Sequence, residues 1–485
     1  MCGFRCCTLR FRTLAHTYTH THIYTGSHGI VFRRIMLFLP LVFAILSGQA
    51  TSNKLNIFYQ WKILDFEFGS PGKRQAAIED QSFVPENNLP LGLEVYKNRI
   101  FVTVPRWKFG VPASLAYIDR TTDPVDSPIL KPYPNWDAHR SLGSFPEIVS
   151  PFRIRADQCG RLWVLDTGIE GLLENTPLIY KNSTLMIYDL HNDELTRSYE
   201  IPFEQTTEDS FLANIAVEDE DCENTFAYLG DLGGPGLIVY SWKSNRSWKV
   251  KHNYFHIKPL AGDMTVGGIN FQWSDGLFGL ALRPEKGGYS TLFFHPMTSF
   301  DEFAVSTKIL QDESLATNQS NYHEFKYLGN RGPRSQSGAS FLDKKTGVLF
   351  YALVQLNAVA CWRTTNPSYT MESQGRVYMD NVTMVFANDV KVDNEGNVWV
   401  LSDRLPQFMY SSLDYNDVNF RILSAKVGDA IKGTACASKL VKNPDIMQVI
   451  EDRLGVNKTK AKGSGAMRSI LSVNCLVGVL MVLLR

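Results

Sequence analysis

The chain has 485 residues, with 49 Lys and Arg against 49 Asp and Glu. That formal neutrality excludes the basic surplus with which nucleic-acid binders neutralise phosphates, so no nucleic-acid partner is expected. A 44% hydrophobic and 20% charged content excludes wholesale disorder, and 29 Phe, 20 Tyr and 9 Trp favour strands, where aromatic rings pack on a pleated surface.

Residues 1–35 are low in complexity and read as an extension of the gene model ahead of Met36. Arg33 and Arg34 precede an apolar run from Ile35 to Leu46, with small residues at Gly48 and Ala50. This is the layout of a secretory signal peptide spanning 36–50, cleaved after Ala50, and the run is too short for a spanning helix. His16, His20, His22 and His28 fall before it and are expected to be absent from the mature protein. Export makes the cysteines informative. Cys2, Cys6, Cys7 and Cys475 lie in the terminal segments, leaving Cys159, Cys222, Cys361 and Cys436 in the body. An even set in an oxidising compartment implies disulfides; of the three connectivities, sequential pairing (Cys159–Cys222 and Cys361–Cys436) is expected. Sequons at Asn182, Asn245, Asn318, Asn381 and Asn457 predict exposed, glycosylated positions.

The body, taken as 51–445, repeats. FRIRADQCGRLWVLDTG (Phe152–Gly168) and NDVKVDNEGNVWVLSDR (Asn388–Arg404) both read as strand, Asp- and Gly-containing tight turn, then a strand carrying a buried Trp. Similar strand–turn–strand units occur at Leu91–Trp107, Asn214–Asp231, Gly276–Pro296 and Gly338–Val354. Their second strands, near Val102, Trp163, Ala227, Phe293, Phe350 and Trp399, recur at intervals of about 50 to 65 residues. Further strands follow at Leu185–Leu190, Leu237–Trp242 and Ala358–Trp362. Six such units predict an all-β fold: a single-domain, six-bladed β-propeller. Ring closure requires the chain ends to meet, so the strand-like segment Phe58–Phe68 is expected to pair into the last blade and cover its open edge. Trp136, Trp163 and Trp399 are read as blade core. Residues 446–485 form a polar stalk and an apolar tail from Ile470 to Leu484. Gly463, Ser464 and Gly465 ahead of that tail resemble a GPI-attachment signal, with a fortuitous apolar tail or a weak membrane anchor as the alternatives.

The runs KPYPNWDAH (Lys131–His139), RLWVLDTG (Arg161–Gly168), YLGDLGGPGLIVYSW (Tyr228–Trp242), DGLFGLAL (Asp275–Leu282), LFFHPMTS (Leu292–Ser299) and FANDVKVDNEGNVWVLSDR (Phe386–Arg404) resemble the insect yellow / major royal jelly protein family over about residues 55–440. The resemblance implies a six-bladed propeller and a secreted insect protein. It further implies a role among several known in the family: melanin-pathway pigmentation, dopachrome conversion, biogenic-amine binding, or a nutritional or structural role. Enzyme, binder and structural protein remain open, because a fold does not fix a function.

In a propeller the inner strand of each blade lines a central channel. Glu94, Arg155, Asn214, Phe278, Ser340, Phe341, Asn388 and Asp389 are the candidates for ligand contact there. A flat aromatic amine or quinone needs an aromatic wall, a hydrogen-bonding rim and a carboxylate for an ammonium. The alternative is that the polar members satisfy each other across the axis. No catalytic residue is assigned, although His139, His256, His295 and His323 have the chemistry of general bases. No cofactor is expected. The oxygen donors Glu94, Asn214, Asn388 and Asp389 would suit Ca²⁺ if they converged, as in propeller lactonases. Gly230–Gly236 (GDLGGPG) lacks phosphate-loop spacing and reads as a blade loop.

Overall fold

The computed structural model describes residues 54–140, 145–366 and 368–437, together with Met447 and Ile450, all within one unit, Ser52–Arg485. The expected signal peptide, the apolar tail and Asn457 lie outside the described residues. Six four-stranded antiparallel sheets follow one another. From the axis outward, blade 1 is Gly92–Tyr96, Arg99–Thr103, Leu115–Asp119 and Lys131–Pro132. Blade 2 is Pro151–Ala156, Arg161–Asp166, Thr184–Asp189 and Glu194–Glu200. Blade 3 is Leu212–Glu218, Phe226–Asp231, Gly236–Ser241 and Arg246–Val250. Blade 4 is Leu277–Pro284, Ser290–Pro296, Asp301–Ser306 and Lys326–Asn330. Blade 5 is Ser340–Asp343, Val348–Leu353, Ala358–Arg363 and Gln374–Met379. Blade 6 takes Phe386–Val392, Asn397–Asp403 and Phe420–Lys426 from late in the chain, and Asn56–Trp61 from its start. Each inner strand touches the inner strands of its two neighbours, and that of blade 6 touches that of blade 1, so the ring is closed. The fold is the six-bladed propeller that the repeats predict.

The strand–turn–strand repeat has a local cause. In blade 2, Asp157 Oδ1 accepts the backbone N–H groups of Cys159 and Arg161, both at 2.9 Å, and Gly160 supplies the positive φ (80°) that the turn demands. The other carboxylate oxygen accepts the indole N–H of Trp163 at 2.8 Å. Blade 6 repeats this with Asp393, which accepts Glu395 and Asn397 N–H at 2.9 Å and the Trp399 indole at 2.8 Å, around Gly396 at φ 77°. One aspartate therefore builds the turn and satisfies the only polar atom of a large buried ring. Trp163 and Trp399 lie in the blade core, as expected. Trp136 does not: it is half-buried at the outer surface, stacked near Phe68 at 5.0 Å, because its motif forms a loop beyond the short outer strand of blade 1.

The apolar core is divided among the clefts between blades, one cluster to each cleft, and the cluster between blades 6 and 1 continues into one mouth of the axis. The closing strand is shorter than the sequence suggests. Asn56–Trp61 pairs with Phe420–Lys426, after which the chain leaves blade 6 and runs along the outside of blade 1, where Phe66 bridges Leu130. Its segment must span two blades, so it cannot remain in one ladder. Ile450, beyond the expected propeller boundary at 445, is buried against the cluster between blades 4 and 5.

Both disulfides follow the sequential pairing. Cys159–Cys222 ties the hairpin turn of blade 2 to that of blade 3, and Cys361–Cys436 ties blade 5 to the segment that follows blade 6. Asn182, Asn245, Asn318 and Asn381 are exposed. Among the described residues no helix is long and apolar enough to cross a membrane.

Candidate functional site

In an antiparallel blade, the start of the inner strand and the connection between the second and third strands lie at the same end. At that end the second connections of blades 1, 2 and 6 and the link from blade 3 into blade 4 are long, and the loops there wall a half-open cavity of about 380 Å³. Phe152, Phe278 and Phe386 stand at the beginnings of the inner strands of blades 2, 4 and 6, and Phe211 immediately precedes that of blade 3. Trp107 comes from the second connection of blade 1 and Trp273 from the link into blade 4. Their rings pack edge to face or tilted: Phe152 lies 5.2 Å from Phe211, 5.6 Å from Trp107 and 6.4 Å from Phe278, and Trp273 lies 6.0 Å from Phe386. The Trp273 indole N–H donates to the Tyr410 hydroxyl at 2.7 Å, which pins it to the short helix Leu405–Tyr410. Leu172, Leu173, Leu405 and Met409 complete the apolar wall.

Three carboxylates face this cavity: Glu208 and Asp209, exposed at the rim, and Asp275, half-buried on the wall. The Asp275 backbone is fixed, its N–H donating to Thr298 Oγ1 at 3.1 Å. Its carboxylate has no hydrogen-bond or ion-pair partner among the described residues, and burial alone pushes its pKa up to about 6. An ionisable oxygen pair held beside six aromatic rings without a counter-charge is suited to receive a cation or to exchange a proton.

Beneath the cavity lies a sealed polar floor. Arg153, fully buried, donates from Nη1 to the Leu91 carbonyl at 2.6 Å and from Nη2 to the backbone and side-chain oxygens of Asn388, both at 2.8 Å. Its guanidinium stacks 5.1 Å from the Phe152 ring and 5.2 Å from Phe278. Asn388 passes one N–H to Asp403 at 2.6 Å, and burial raises the Asp403 pKa to about 7. Asp389 lies 3.7 Å from Arg153 Nε and 3.0 Å from Lys391 Nζ, and accepts the Leu93 N–H at 2.9 Å.

The eight sequence candidates therefore separate. Phe278 and Asn388 line the aromatic cavity. Arg155, Asn214, Ser340, Phe341 and Asp389 line a constriction of only about 30 Å³ further down the axis. Arg155 and Phe341 also reach a hollow of about 100 Å³ at the opposite end, with Asp219 and Lys344. Glu94 lines none of these cavities; it is buried and paired with Arg155 at 2.9 Å, and Arg155 in turn lies over the Phe341 ring at 4.8 Å. Asn214 donates to the Phe278 carbonyl at 2.6 Å, bracing a cavity residue from below. Glu94 is thus held by Arg155, Asn214 by the Phe278 carbonyl, Asn388 by Arg153 and Asp403, and Asp389 by Arg153 and Lys391. Among the described residues no three His, Cys, Asp or Glu side chains gather as a metal ion would require.

The histidines are placed as structural groups. His139 is buried, bonded to the Tyr133 carbonyl at 2.9 Å, and burial together with nearby Arg106 lowers its pKa to about 3. His295 bridges Glu302 at 2.8 Å and the Gly338 carbonyl at 3.0 Å, on the hidden side of the cavity wall. His256 and His323 are exposed. The GDLGGPG run is a blade 3 loop, and Leu232 and Gly233 from it reach the cavity. The sequence candidates leave out Phe152 and Phe386, which lie on inner strands, and reading the inner strands alone misses Trp107, Phe211, Trp273 and Asp275, which lie outside them. The available signal was positional, since Asp275 opens the DGLFGLAL run and Phe386 opens FANDV.

The fold is thus a closed six-bladed propeller with an aromatic, carboxylate-bearing cavity at one mouth. Within it, residues 149–436 match the family described as major royal jelly protein. The chain is 43% identical to the protein yellow of Drosophila subobscura over 404 residues, covering 82% of this chain and 70% of that protein. It is likewise 43% identical to the protein yellow of Drosophila melanogaster over 404 residues, covering 82% and 73%. The chain belongs to the yellow / major royal jelly protein family. Among solved structures, it is similar to a luciferin-regenerating enzyme (TM-score 0.42, 11% identity, covering 72% of this chain and 93% of that one). It is also similar to regucalcin, a calcium-binding protein of Agrobacterium tumefaciens (TM-score 0.40, 8% identity, covering 69% and 89%).

Proposed function

We propose that this chain is an exported protein of cuticle pigmentation that binds catecholamine-derived compounds, such as dopamine and its quinone products, in the aromatic cavity. Asp275 is the observation that carries the reading. A protonated amine placed against its carboxylate supplies the missing counter-charge, while Trp273, Phe152, Phe211 and Phe278 offer faces for the catechol ring. Family membership supplies the pigment context, and the leader at 36–50 and the exposed sequons support export. Attachment of the tail through a GPI signal belongs to the same reading.

Conversion of dopachrome is the second reading, favoured by the same residue. A carboxylate titrating near neutrality serves as a base that takes a proton from a ring carbon and returns it elsewhere on the substrate, a redox-neutral isomerisation. Mature protein titrated calorimetrically with dopamine, and mixed with dopachrome under absorbance monitoring, separates the two. Binding heat that falls roughly thirtyfold in affinity in Asp275→Asn supports the amine site, a loss in line with stranding one partner of a charge pair. Absence of heat in the wild-type protein refutes it. Dopachrome decay no faster than in buffer removes the conversion reading.

A further inference from the structure

Building on the amine-binding reading and against the dopachrome one, we infer that the cavity selects decarboxylated aromatic amines over the corresponding amino acids and over quinones that retain a carboxylate. The argument is one of charge distribution. Among the described residues, the cavity lining holds the carboxylates Glu208, Asp209 and Asp275 and no Lys, Arg or His. The cations that approach it from neighbouring elements are already committed. Arg153 lies below the floor with no exposed surface, its Nη atoms given to Leu91 and Asn388. Lys108 donates to the Phe408 carbonyl at 3.4 Å and sits 4.1 Å above that ring. Lys249 is paired with Asp231 at 3.2 Å, and Arg404 with Asp417.

An aromatic amine brings one positive charge, which matches this lining. An aromatic amino acid carries its carboxylate on the carbon that bears the ammonium. Docking the ammonium at Asp275 therefore places two like charges within a few ångströms, on a half-buried wall of largely apolar side chains where screening is weaker than in bulk water. Among the described residues no cation lines the cavity to pair with the intruding carboxylate. Rejection by an unpaired buried charge is a stronger filter than shape, because the two ligands share the same ring and nearly the same volume. The reaction that supplies this cavity is then a decarboxylation, upstream of binding.

The test is calorimetric titration of the mature protein at pH 6.5 with dopamine, L-dopa and L-dopa methyl ester, the last restoring a net positive charge at greater bulk because its amine is mostly protonated at that pH. The expected result is binding of dopamine and the ester, with L-dopa at least tenfold weaker. L-dopa binding as tightly as dopamine overturns the selectivity and leaves the amine site standing. No heat from any of the three overturns both. The same three titrations on Asp275→Asn, with a melting curve recorded on the sample, assign the filter: the dopamine-to-dopa ratio should collapse towards one. A folded variant that keeps the full ratio overturns the role of Asp275.

Discussion

The two ends of the propeller axis are walled by the same inner strands, yet they differ in chemistry. At one end, long connections carry Trp107, Phe211, Trp273 and Met409 over the axis and leave Asp275 without a partner. At the other, several connections are tight hairpins, such as the one at Lys97-Asn98, and the charges that line the axis pair among themselves: Arg155 with Glu94, Lys391 with Asp389, Lys344 with Asp219. A turn of a few residues cannot bring a bulky side chain over the axis, so the strands' own polar groups are left to neutralise one another in a narrow space. Charge along the axis is therefore paired at the hairpin end, while Asp275 at the connection end has no ion-pair partner among the described residues.

This contrast can be broken by mutation. The largest expected effect is at the hairpin end, where Arg155→Met strands Glu94, which is 1% exposed, and should destabilise the fold by about 3–5 kcal/mol in denaturant titration. Amine binding by the folded fraction should be unchanged; a selective loss of binding would mean that the two ends are not separable. Next in size is Asn388→Ala, which leaves Arg153 and Asp403 without their shared partner and should cost roughly 2–3 kcal/mol. A fully stable variant would show that the floor is not a closed network.

At the cavity end the sign reverses. Asp275 ordinarily titrates near 3.8, and burial raises it to about 6 in the folded protein. Between those values the folded state holds a proton that the unfolded chain has lost, so stability falls as pH rises through the window and the penalty is complete above it. Asp275→Asn should therefore melt at a higher temperature than the wild type at pH 7.5, with the gap closing as pH approaches 4. A lower melting temperature at pH 7.5 would show that the carboxylate has a stabilising partner. The smallest effect is expected from the pair Glu94→Gln and Arg155→Met together. Removing both charges should restore stability to within about 1 kcal/mol of the wild type, because neither partner is then stranded.

The architecture was legible in the sequence because each blade writes its own signature locally. An aspartate, a glycine and a tryptophan at fixed spacing in Asp157–Trp163 and Asp393–Trp399 encode turn, φ and core in a single device. The candidate site was less legible. Of the channel candidates, Phe278 and Asn388 reach the large cavity, while Glu94 and Arg155 pair with each other and Asp389 pairs with Lys391. Strand alternation says which residues face the axis but not how close opposite walls come, and that distance decides between pairing and binding. The same limit hid Trp273 and Asp275, which lie in a connection whose course over the axis depends on Phe271, Tyr410 and the helix Leu405–Tyr410, distant in sequence.

The placement of Asn56–Trp61 as the outer strand of blade 6 has a consequence for biogenesis. This strand leaves the ribosome first among the described elements, and its partner Phe420–Lys426 leaves last among the strands. During synthesis it has no ladder to join: Trp61 can reach the Pro128 carbonyl beside blade 1 early, but the strand's own edge stays unpaired until nearly the whole polypeptide has been made. Maturation thus ends with a clasp between the two termini, and a chain interrupted anywhere before residue 420 retains a sticky, unmated edge by which quality control can know it as unfinished.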